Sequence, residues 1–148
     1  MDGVWLHSEP PSAEESGSWL EASVNPERQV DYWVTLSARD IGTADILMKA
    51  DRPLEALFFA HMGLEKALKA RIVRATGEPP PHLHNLSRLA EASGPGIPED
   101  VLDFLAEMNR FQVHGRYPLS LDYRPSKEEV ARCWPRAREV RECLIRTS

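Results

Sequence analysis

The sequence predicts an all-α protein, an up-and-down bundle of four main helices plus a short one. Three observations predict it. Apolar residues recur near a 3.6-residue period through most of the chain after Gln29. No long stretch alternates apolar and polar residues with the period of two that a half-buried strand needs. Proline and glycine cluster at a few places and cut the chain into helix-length pieces. A chain of 148 residues, 42% of them hydrophobic, suits one domain around one core.

The elements follow in order. Residues 1–28 are rich in Ser, Glu, Pro and Gly and show no period, so they predict an extended or disordered acidic tail. Trp19 and Leu20 in that tail are candidates to dock on a partner or on the domain itself. The bundle is expected over residues 29–148. Trp33, Leu36, Ala44, Leu47 and Met48 trace a first helix up to Ala50, and Asp51-Arg52-Pro53 breaks it. Pro53 is suited to the first turn of the second helix. Leu54, Leu57, Phe58, His61, Leu64, Glu65, Leu68 and Ile72 give that helix its face, and Gly77 with the prolines at 79, 80 and 81 ends it. The two helices predict an antiparallel hairpin.

A short helix is expected from Asn85 to Ala92, closed by Ser93-Gly94-Pro95-Gly96. Ile97-Pro98-Glu99-Asp100 opens the next, with acids favoured by the helix dipole, and it is expected to run to about Val113. A loop carries Arg116 to Pro125. Ser126-Lys127-Glu128-Glu129 has the spacing of a capping box, and the last helix runs to about Ile145 with Pro135 inside it and a kink expected near Ala131.

Charge is unevenly spread. The net charge is −5, yet residues 109–148 hold nine bases and five acids. The acidic tail, itself −5, masks a basic C-terminal third and is expected to compete with nucleic acid for it. The N-terminus has no basic and apolar signal pattern, and no apolar run spans a bilayer, so a soluble, cytoplasmic protein with no membrane partner is expected. Cys133 and Cys143 are ten residues apart on one predicted helix, about 15 Å along its axis, which is too far for a disulfide.

The stretch NRFQVHGRYP, Asn109 to Pro118, carries the candidate chemistry. Arg110 and His114 are four residues apart, so on a helix they share a face one turn from each other. Gly115 lets the chain leave the helix and Pro118 blocks its return. An arginine fork matches phosphate oxygens, and a histidine exchanges protons near neutral pH. The alternative is that both are solvated cations at a helix C-terminus. Tyr117 and Arg116 are open to the same choice, as groove residues or as packing and capping groups. His82 and His84 lie two apart on a proline-rich loop with no acid near in sequence, so no metal is expected there. His61 is expected in a core or interface. Glu65, Lys66 and Lys69 either line a groove or form a solvated helix face.

Four segments resemble the HEPN domain family. They are Ala38–Pro53, the segment FFAHMGLEKALKARIV from Phe58 to Val73, HLHNLSRLAE from His82 to Glu91, and Arg116-Tyr117-Pro118, in that order across Val30 to Ile145. The resemblance implies an up-and-down helical bundle that dimerises with its own kind. It implies, for many members, a metal-independent ribonuclease with no cofactor, whose motif is Arg, four to six residues, then His at a helix end. It also implies a minimal nucleotidyltransferase partner, as antitoxin to a toxin, which in some pairs modifies a tyrosine just past that His. Here three residues separate Arg110 from His114, and Tyr117 follows His114 by three. The expected catalytic residues are Arg110 and His114, and the expected nucleotide- or RNA-binding residues are Asn109, Arg116, Tyr117 and Lys69, acting on single-stranded RNA. The alternatives are a non-catalytic nucleotide- or RNA-binding module of a nucleotidyltransferase complex, and a helical interaction protein without nucleotide chemistry.

Overall fold

The computed structural model describes residues 25–118 and 122–146. Most of the acidic tail, with Trp5, Trp19 and Leu20, lies outside them, and so do the middle of the 116–125 loop and the last two residues. Among the described residues all regular structure is helical: α1 (Pro26–Lys49), α2 (Pro53–Thr76), α3 (Leu86–Ala92), α4 (Glu99–Met108), α5 (Arg110–His114) and α6 (Lys127–Arg146).

Helix α1 starts three residues before the expected boundary at Gln29. Asn25 explains it: its side chain accepts from the amides of Glu27 and Arg28, and Pro26 takes a position where no amide is needed. Helix α2 is the axis of the fold. It is buried on nearly every side, and α1, α3, α5 and α6 all pack on it. Leu57, Ala60, Leu64, Ala67 and Leu68 form the centre of the core, with Leu86 and Leu89 of α3, Leu105 and Met108 of α4, Phe111 of α5 and Val140 and Leu144 of α6. Gly77 ends α2 in the left-handed conformation, at φ 71°, where an L side chain is strained.

Helix α1 lies along the edge of the bundle and buries only Gln29, Val30, Ser37 and Ala44. Ser37 joins three helices. Its hydroxyl donates to the Gly63 carbonyl of α2 at 2.7 Å and accepts from Arg141 of α6 at 2.8 Å. Ser126 caps α6, accepting from the Glu129 amide at 3.1 Å. Pro135 sits within α6, which continues to Arg146. No helix among the described residues is long and apolar enough to cross a membrane. Both cysteines are free thiols.

One expected helix is two. The segment expected to run unbroken to Val113 is interrupted at Asn109. There the amide of Asn109 reaches Ala106 and that of Gln112 reaches Asn109, three residues back rather than four. The cause is the Asn109 side chain, which is drawn to α3. Its Oδ1 accepts from the Leu86 amide at 2.7 Å, and its Nδ2 donates to Asn85 and Ser87.

Candidate functional site: the Arg110–His114 turn

Helix α5 is five residues long and is anchored by Phe111, whose ring is fully buried in the core. That anchor fixes which way its neighbours point. Arg110 and His114 both turn toward the segment that enters α6. Arg110 Nη2 lies against Glu129 of α6 and, at 3.5 Å, against Glu107 of α4, in ion-pair contact without hydrogen-bond alignment. Its guanidinium also lies 4.9 Å from the Phe111 ring centre. His114 meets Tyr123 edge-on, with ring centres 5.8 Å apart.

Both side chains carry an unused polar atom. Arg110 Nε and His114 Nδ1 are buried and have no hydrogen-bond partner. Buried polar atoms are normally paired, and those that are not mark strain or function. Here two of them sit one turn apart on one short helix.

Gly115 does not serve as a left-handed cap, because its φ is −70°. It is small for a different reason. A Cβ there would stand 2.5 Å from Phe58 Cβ, so only glycine lets α5 close on α2 at this point. The turn runs on, with the amides of Arg116 and Tyr117 both reaching the Val113 carbonyl. Arg116 then lies over the Phe58 ring, 5.5 Å from its centre. Tyr117 is 75% exposed and so is presented outward rather than packed on the bundle.

The remaining candidates are placed elsewhere. Asn109 spends its side chain on capping α3 and is structural. Lys69 is buried between Glu65, at 3.2 Å, and the Trp33 ring, at 5.2 Å, so it does not line a groove. Lys66 pairs with Asp40 of α1. The face expected to be solvated is thus largely an interior one. Glu65 is the reason, because it gathers Lys69 on one side and His84, at 3.0 Å, on the other. That pairing across α2 and the proline-rich loop was not visible from the spacing of His82 and His84.

His61 is buried completely and neither ring nitrogen makes a hydrogen bond. Burial holds its pKa down to about 4, against the pull of Glu65 and of the His84 backbone, while the charges of His84 and Arg116 add to the depression. It is therefore neutral at pH 7. Among the described residues no group of three His, Cys, Asp or Glu side chains is arranged to hold a metal ion.

The turn carries two guanidiniums and an imidazole within seven residues, Arg110 against Glu129, His114 against Tyr123 and Arg116 over Phe58. No curated protein and no solved structure shows significant similarity to the chain. The sequence model of the HEPN domain, however, matches residues 30–147, from the first turns of α1 past the end of α6. The chain belongs to the HEPN domain family.

Proposed function

We propose that this protein is a metal-independent ribonuclease acting on single-stranded RNA, the toxin of a pair whose antitoxin is a minimal nucleotidyltransferase. The observation that supports it most directly is the placement of Arg110 and His114 one turn apart on α5, in a chain of the HEPN family. RNA carries its own nucleophile. The 2′-OH attacks the neighbouring phosphorus as His114 takes its proton. The bond from phosphorus to the 5′-oxygen breaks, and a proton goes to that oxygen. Arg110 holds the phosphate and stabilises the charge that builds on its equatorial oxygens. In a homodimer the partner's copy of this turn supplies the acid while the first supplies the base. Single strands fit because the attacking and leaving oxygens must come into line.

This mechanism leaves a 2′,3′-cyclic phosphate and a 5′-hydroxyl. Fragments with those ends, formed in EDTA, are the expected products. Fragments ending in a 3′-hydroxyl contradict it.

One observation favours a second reading. Arg110 is already engaged by two carboxylates, while Tyr117 stands exposed. In that reading the chain is a non-catalytic module that presents Tyr117 and Arg116 to the nucleotidyltransferase. It predicts a stable complex with that partner, lost on Tyr117→Ala, and no RNA cleavage.

A further inference from the structure

Arg116 and His84 are held over one face of α2. Arg116 lies on the Phe58 ring, and His84 Nδ1 meets Glu65 Oε1 at 3.0 Å. Phe58 and Glu65 are seven residues apart on α2, two turns of helix. The two anchors therefore stand in line, about 10 Å apart along the axis. His61 belongs to the turn between them, and the charges of His84 and Arg116 both act on its ring. A residue of the proline-rich loop and a residue past α5 thus come to one side of the central helix.

Glu65 sets what His84 offers. The Glu65 side chain is buried, while that of His84 is 54% exposed. A buried carboxylate accepts the Nδ1 proton and fixes the ring, which leaves Nε2 on the opposite edge. Glu65 carries one negative charge, and Lys69, buried at 3.2 Å, balances it. A protonated His84 is therefore a surplus cation. Arg116 is another, exposed and without a carboxylate partner among the described residues. His61 beneath them is neutral at pH 7, and no acid lies on α2 between Phe58 and Glu65. Arg110, held by Glu129 and Glu107, has no such surplus. The face suits the phosphates of an extended strand.

We propose that Arg116 and His84 form a phosphate-binding track along α2 for the single strand that passes the Arg110–His114 turn, each holding one backbone phosphate. Arg116 follows His114 by two residues, which joins the track to the turn. Both contacts go to the backbone, so the track positions the strand and reads no base. It rests on the reading of the Arg110–His114 turn as an RNA-handling centre and adds the direction in which the strand leaves it.

The probe is a 2′-O-methyl oligouridylate of about eight nucleotides, whose blocked 2′-oxygen cannot attack phosphorus. Fluorescence anisotropy follows its binding to the full-length protein over a salt series at pH 6, where imidazoles are largely protonated. Each phosphate contact on a single strand contributes about 0.7 to the slope of log affinity against log salt. Arg116→Ala and His84→Gln are each expected to weaken binding several-fold and to flatten that slope by about 0.7. The Gln amide still has a donor for Glu65, and thermal melts check both folds. Arg116 is exposed, so its variant tests the track even where His84→Gln unfolds. Arg138→Ala is the control. It removes another exposed guanidinium over an aromatic ring, that of Trp134 on α6, and is expected to change nothing. A wild-type slope in either folded variant overturns the track. Equal flattening in all three variants overturns it as well, because binding is then diffuse attraction to charge. Cleavage of unmodified RNA is scored separately. Flattened slopes without cleavage keep the track and remove the nuclease, and His114-dependent cleavage with unchanged slopes does the reverse.

Discussion

Arg110 of α5 is ion-paired with Glu129 in the first turn of α6. The same arginine meets Glu107, which in turn pairs with Arg132 of α6. The guanidinium that the chemistry needs for phosphate is therefore balanced by carboxylate in the free protein. On the proposed function RNA has to displace Glu129 from it, and that displacement opposes binding.

The first prediction follows. Glu129→Gln is expected to raise RNA affinity and cleavage several-fold, because Arg110 then keeps only the weaker Glu107 contact. Stability is expected to fall by about 1 kcal/mol or less, since the pair is partly exposed. Filter binding and cleavage rates on one RNA check both. Reduced affinity in this variant contradicts the competition and makes Glu129 a residue that positions Arg110.

Gly115→Ala is expected to destabilise the fold by about 1–3 kcal/mol. The new methyl meets Phe58 Cβ, an atom fixed to the α2 backbone that cannot swing aside. The shift also moves Arg116 off the Phe58 ring. Thermal unfolding reads the first effect, and an unchanged midpoint contradicts the close packing of α5 on α2.

Asn109→Ala is expected to cost about 1–2 kcal/mol by leaving the Leu86 amide without its acceptor. Urea unfolding measures it. RNA affinity per folded molecule is expected to stay the same, which separates a capping role from a contact role.

His61 predicts a pH dependence of stability. Its folded pKa, about 4, lies below the ordinary 6.5. The unfolded chain then binds the extra proton between those values. Stability from this source is complete above about pH 6.5 and is lost as pH falls toward 4, by roughly 3 kcal/mol at most. Melting temperatures at pH 7 and pH 5 check it. His61→Leu is expected to flatten the difference between them, and an equal drop in the variant assigns the effect to other groups.

The long helices were legible because each is framed by local chemistry: Pro53 and Gly77 around α2, Ser126 at the head of α6. The break at Asn109 was not. It depends on an amide of α3 more than twenty residues away, and no local pattern encodes that. The fate of Lys69 was hidden for the same kind of reason. Its charge reads as surface, and although Glu65 stands one turn before it on α2, only the packing of α1 on α2 reveals the Trp33 ring that lets it be buried. Arg110 and His114 were legible as a pair on one face. Glu107, three residues before Arg110, was within reach of the spacing, but Glu129 lies on α6, so the spacing alone could not report that second partner of the arginine. The cleft that Glu55 and Tyr123 both line joins the α1–α2 turn to the segment entering α6, a pairing that periodicity does not address.

The most direct test is cleavage of a mixed-sequence single-stranded RNA in EDTA by the wild type and by His114→Ala. Cleavage by the wild type, lost in a variant whose melting profile is unchanged, is the predicted result and makes the Arg110–His114 turn an active site. No cleavage by either protein, or equal cleavage by both, contradicts it.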